Sequence, residues 1–145
     1  MFDHLLLPID GSPTSELALD KALGIAQAFG SKVSVVYVVD PYPFTGVGAD
    51  FVFGQDQYLR AAKAEASKAL GAARHKFEAA GITASCSLAE ARVVWRGILE
   101  AAESARADLI VMGSHGRNPV ERWVLGSVAQ RVVSHAKLPV LVVRG

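Results

Sequence analysis

The chain has little of what would mark it for secretion, membrane insertion or metal binding. Cys86 is its single cysteine, so neither an intrachain disulfide nor a thiolate cluster for zinc can form. No apolar run approaches the roughly 20 residues of a membrane-spanning helix, and Met1-Phe2-Asp3-His4 lacks the basic segment that opens a signal peptide. The cytoplasm is the expected compartment. Charge of one sign is missing too. The 15 Lys and Arg against 14 Asp and Glu leave a formal net charge of +1, too weak a field to draw the chain to nucleic acid or anionic lipid. No Gly-Lys-Ser/Thr follows its glycines, so this is not a Walker loop and the lysine of such enzymes is absent. His4, His75 and His135 are dispersed, with no metal-ligand spacing.

What is present is apolar and regularly punctuated. With 51% hydrophobic residues in 145, the chain fits one domain spanning 1–145, and roughly 70% of the unfolded surface can be buried at that size. Short β-branched runs alternate with helical patterns, the signature of an α/β fold with a parallel sheet. The first strand is expected from Leu5 to Ile9 and the second from Lys32 to Val39. Between them Ser12 is a plausible N-cap, Pro13 occupies the first helical position, Glu16 suits the helix dipole and Gly30 is a stop signal. A second helix is expected from about Asp56 to Ala80, with Leu59, Ala62, Ala66, Ala69, Ala73 and Phe77 at helical spacing. That leaves a long, unusually apolar connection from Pro41 to Gln55, containing Phe44, Phe51 and Phe53, as a lid or subunit contact.

Polar Thr83, Ser85 and Ser87 alternate with apolar neighbours between Ile82 and Leu88, which places the third strand at a sheet edge. A third helix runs from about Val94 to Ala105, followed by a buried strand from Asp108 to Met112. The last helix begins at Ser127, where Ser127-Val128-Ala129-Gln130 fits a capping box. Pro139 to Val143 forms the final strand, whose proline suits the opposite edge. An apolar edge is a pairing surface, so a homodimer zipped along Val140 to Val143 is expected.

Gly113-Ser114-His115-Gly116 follows the buried strand, and Gly126-Ser127 comes after nine intervening residues. Glycines at the carboxyl end of a parallel strand let backbone N–H groups approach an anion, which reads as a phosphate cradle. If the sheet reverses direction after the second strand, Asp10 opens into the same crevice. A carboxylate there can accept from ribose hydroxyls or hold magnesium beside phosphates. Asp10-Gly11-Ser12-Pro13 is equally well read as a turn with a helix cap. Arg117 is either a phosphate ligand or a solvated surface arginine, and His115 is explained by a polar loop position.

The full constellation resembles the universal stress protein family in its ATP-binding branch. It comprises Gly-x2-Gly-x9-Gly-Ser, Leu5 to Ser12 at the start and Pro139 to Arg144 at the end, so the likeness covers nearly the whole chain. The resemblance implies a Rossmann-like domain of the adenine nucleotide alpha hydrolase type, a five-stranded parallel sheet of order 3-2-1-4-5 with helices on both faces, commonly dimeric. It also implies adenine-nucleotide binding, ATP or AMP/ADP, with Asp10 as the candidate Mg ligand beside the phosphates. Pro8, Ile9 and Asp10 would line the nucleoside, Val38 would meet adenine through its backbone, and Met112 and Gly113 would contact it from the other side. Gly116, Arg117, Gly126, Ser127 and Val128 would hold the phosphates. Asn118-Pro119 departs from the glycine-rich pair of many relatives, and no Gly-x-Pro precedes the third helix. The function so implied is a nucleotide-binding stress-response regulator with an undetermined protein partner. The alternatives are a slow Mg-dependent ATPase or phosphoryl-transfer enzyme, and a nucleotide-independent dimeric interaction module.

Overall fold

The computed structural model describes residues 1–41, 49–115 and 125–145, apart from the side chains of 49–53. Among the described residues nine elements alternate: β1 (His4–Pro8), α1 (Pro13–Phe29), β2 (Lys32–Val39), α2 (Ala49–Ala79), β3 (Ala84–Glu90), α3 (Val94–Ala105), β4 (Leu109–Gly113), α4 (Ser127–His135) and β5 (Val140–Val143). The strands form one parallel sheet in the order β3-β2-β1-β4-β5. Right-handed crossovers dictate the layers. α1 and α2 follow strands stepping one way across the sheet, while α3 and α4 accompany the return, so the pairs cover opposite faces.

Alternation along each strand builds the two cores. Leu5, Leu7, Val33, Val35 and Val111 pack against Ala18, Leu19 and Ala22 of α1 and Ala66, Leu70, Ala73 and Phe77 of α2. Leu6, Val36, Ile110 and Met112 face the other way, onto Ile98 and Ala102 of α3 and Ala129 and Val132 of α4. The expected edges are found: β3 alternates half-buried and exposed positions, and β5 closes the other side. Among the described residues no helix is long and apolar enough to cross a membrane.

Several boundaries follow the local chemistry. Ser12 caps α1 by accepting from Ser15 N at 3.2 Å, and Gly30 ends the helix at φ 67°, a left-handed conformation suited to glycine. Two expectations are corrected. α2 begins at Ala49 rather than near Asp56, so Phe51 and Phe53 are helical and not part of a long connection. Gln55 Nε2 reaches back to the Pro41 carbonyl at 2.9 Å, a tertiary tie that offsets the helix cost of Gly54. Phe44 lies outside the described residues. The capping box at α4 is not formed either: Gly126 is the N-cap, and the Gln130 side chain donates to Leu125 O at 2.8 Å. Gly126 O already accepts from Gln130 N at 3.0 Å, which makes Ser127 the first helical residue instead of the cap.

Candidate functional site

The carboxyl ends of β1 and β4 are held together through the start of α1. Thr14 Oγ1 donates to His115 O at 2.7 Å, and Ser12 Oγ reaches the same carbonyl at 3.4 Å. Ser114, fully buried, ties in the other elements: its N–H donates to Val143 O at 2.9 Å and its carbonyl accepts from Gly126 N at 2.7 Å. β4, β5 and the α4 N-terminus therefore meet at one residue. Gly113 is a glycine for a reason the sequence did not show. A Cβ there would lie 2.5 Å from Thr14 Oγ1, 2.8 Å from Thr14 C and 2.9 Å from Ser15 N, so its hydrogen is what lets α1 dock on β4.

Asp10 leaves β1 in a turn that its own side chain stabilises, with Oδ1 accepting from Ser12 N at 2.9 Å. Tyr37 OH donates to Asp10 O at 3.2 Å, fixing this turn against β2. Past that point β2 outruns β1, whose register ends at Pro8 opposite Val36. Val36 O accepts from Ile9 N, while Val39 O accepts from Ala91 N on the β3 side. Backbone groups of a parallel strand alternate between its two neighbours. Val38 accordingly turns its N–H and C=O toward the gap beyond the end of β1. The Val38 side chain packs against α3, where a Cβ on Gly97 would stand 3.0 Å from Val38 Cγ1.

At this gap lies a cavity of about 490 Å³ lined by Asp10, Tyr37, Val38, Val39, Asp40, Tyr58, Ala61, Ala62, Glu65, Val94 and Val128. Three residues singled out from the sequence, Asp10, Val38 and Val128, thus converge from three separate segments. Pro8, Ile9 and Met112 are buried at the carboxyl ends of β1 and β4 and are not in the lining, nor are Gly113, Gly126 and Ser127, the last two at the start of α4. Gly116 and Arg117 lie outside the described residues. Sequence reasoning missed the α2 wall. Its signal was available on the flank of the core stripe, where Tyr58, Ala61 and Glu65 neighbour Ala62 at spacings of one to four.

The arrangement fits a nucleotide. The volume falls within the roughly 300–1,000 Å³ typical of small-molecule sites. The first N–H groups of α4 have no capping side chain from Gly126, leaving backbone donors suited to an anion. His115 Nδ1 is bonded to Ser114 Oγ at 3.0 Å, whereas its Nε2 is buried without a hydrogen-bond partner among the described residues. No group of three or more His, Cys, Asp or Glu side chains able to hold a metal occurs among the described residues. A magnesium ion beside phosphates needs only one or two carboxylates, and Asp10 shares the cavity lining with Asp40 and Glu65.

Comparison with known proteins agrees with this architecture. Residues 1–144 match the model of the universal stress protein family. The chain is 38% identical over 144 residues to a universal stress protein of Methanocaldococcus jannaschii, covering 99% of this chain and 83% of the relative. A universal stress family protein from Burkholderia pseudomallei superposes with a TM-score of 0.78 at 30% identity, over 99% of this chain and 96% of that one. A universal stress protein solved in complex with cAMP superposes with a TM-score of 0.69 at 25% identity, over 99% and 97%. The chain belongs to the universal stress protein family.

Proposed function

We propose that this protein is an adenine-nucleotide-binding regulator of the stress response, acting in the cytoplasm through nucleotide-dependent conformation or partner binding. The observation that carries the reading is the convergence of Asp10, Val38 and Val128 on one cavity at the carboxyl ends of the strands. In this reading Asp10 meets the ribose, the outward-facing peptide of Val38 reads the adenine edge, and the α4 N-terminus receives phosphate. Pro8, Ile9, Met112 and Gly113 shape the nucleoside side, and Gly116, Arg117, Gly126, Ser127 and Val128 the phosphate side. Magnesium, where bound, neutralises phosphate charge beside Asp10. The cAMP complex of a relative supports an adenine nucleotide as the ligand class. Two copies pair along β5, whose Leu141 is 39% exposed at the open edge of the sheet.

Denaturing freshly purified protein and identifying the released small molecules, followed by titration with ATP and AMP with and without magnesium, tests the reading. Near-stoichiometric adenine nucleotide, or saturable binding by an emptied protein, is expected. A pocket that is empty and refuses both nucleotides overturns it.

A further inference from the structure

We infer that Ser34, paired with His4 on the face of the sheet turned toward α3 and α4, is an activated nucleophile that takes a small acyl group from an activated ester or thioester. The strand register assembles the pair. Leu6 stands opposite Ser34 and belongs to the core beneath α3 and α4, and His4, two residues earlier on β1, shares that face because side chains alternate along a strand. On the other side of β2, Ser34 stands opposite Ser85 of β3. Three adjacent strands thus bring a base and two hydroxyls together: Ser34 Oγ lies 2.7 Å from His4 Nε2 and 3.2 Å from Ser85 Oγ. The first distance is within the roughly 2.6–3.2 Å at which a base activates a hydroxyl nucleophile. The cluster lies toward the amino ends of the strands, away from the cavity at their carboxyl ends.

Such chemistry needs a fixed base and an open approach. Asp108 fixes the backbone of His4: its Oδ1 accepts from His4 N at 3.0 Å, and its N–H donates to His4 O at 2.9 Å. Ser34 sits inside a strand paired on both sides. A base and a nucleophile carried on paired strands keep their separation as a reactant approaches. The approach comes from the edge position of β3. Cys86 and Leu88 pack against the core that α2 covers, whereas Ser85 and Ser87, on the opposite face, are exposed and leave the half-buried Ser34 reachable past small side chains. With its ring proton on Nδ1, His4 accepts from the Ser34 hydroxyl at Nε2. Ser34 Oγ then bonds to the acyl carbon as its proton passes to Nε2, and the bond from that carbon to the leaving oxygen or sulfur breaks. The departing group takes the proton from His4, which leaves acyl-Ser34 and a free alcohol or thiol. The Ser85 hydroxyl donates to the carbonyl oxygen as it gains charge.

Incubating the full chain with p-nitrophenyl acetate, following nitrophenolate release and mapping acetylated residues by peptide mass spectrometry, tests the pair. A stoichiometric burst of nitrophenolate and acetyl on Ser34 are expected. Ser34→Ala removes both. His4→Gln, which keeps a polar side chain without a basic nitrogen, slows acetylation of Ser34 about a hundredfold, the scale of a lost general base, and Ser85→Ala slows it severalfold. Acetyl confined to lysines, the Met1 amine and Cys86 of the wild-type chain overturns the proposal whatever the variants do. Acetylation of Ser34 at the wild-type rate in His4→Gln overturns activation by His4.

Discussion

At the level of single residues, the two ends of the sheet are organised by different chemistry. At the amino ends of the strands, Asp108 accepts from Asp3 N at 2.9 Å and His4 N at 3.0 Å, pinning the beginning of the chain to β4. Burial disfavours its ionised form, but hydrogen bonds from the backbone of Asp3, His4 and Asp108 itself, with the nearby His4 charge, outweigh that cost and hold its pKa below the ordinary value. A carboxyl whose pKa is lowered by folding stabilises the native state above its unfolded pKa of about 3.9. That contribution is lost as pH falls through the lower folded value. Asp108→Asn should cost about 1 kcal/mol at pH 7, the scale of a partly solvated capping interaction. It should also flatten the decline in stability below about pH 4, where protonation already removes the wild-type advantage. Urea unfolding across pH 3 to 7 checks both. Gly113 shows how far a motif glycine can be read: its place after a buried strand was legible, but the clash that demands it comes from Thr14 and Ser15, 99 and 98 positions earlier in the chain. Spacing cannot report which backbone passes within 3 Å.

At the level of elements, local signals worked where a single side chain or conformation decides the boundary. Ser12, Pro13 and Gly30 delimit α1, and α3 runs from Val94 to Ala105, the expected span. They failed at the start of α2, where a side-chain bond from Gln55 to Pro41 supports helix through residues that carry no start signal. At α4 the start at Ser127 is the expected one, but the capping box is absent, because the N-cap is a glycine with no capping side chain. The end of α3 carries a cost of its own. Arg106 adopts φ 55° as the C-cap, the one non-glycine at positive φ among the described residues. Its N–H bonds to Ala102 O and Glu103 O, so the left-handed turn is needed to finish the helix. Arg106→Gly removes the Cβ conflict and should stabilise the domain by roughly 1 kcal/mol, after allowing for the greater freedom of glycine in the unfolded chain. Thermal unfolding should show a rise of about 2–4 °C in the melting temperature.

At the level of the whole molecule, the sheet order leaves β3 and β5 as edges with opposite character. β3 presents Ser85 and Ser87 outward, whereas β5 consists of Val140, Leu141, Val142 and Val143, four apolar residues on an edge that no other described strand pairs with. A lysine on such an edge opposes strand pairing between copies without disturbing the buried face. Sedimentation should find a dimer for the wild type and a monomer for Leu141→Lys, with melting temperature lowered only by the loss of association. A wild-type monomer at micromolar concentration overturns the pairing along β5.

The sequence by itself determined the order and type of the elements, both edges and the glycine-serine constellation, because periodicity, caps and turn residues act over a few neighbouring positions. It also indicated Asp10, and the family resemblance added Val38 and Val128, which meet Asp10 at the cavity. Only the tertiary structure decided what else surrounds them. The α2 wall, the packing of Gly113 on α1 and the outward-facing peptide of Val38 each depend on where a distant segment ends or crosses. Such relations arise when the β3-to-β4 crossover brings the two halves of the sheet together, and no local spacing encodes them.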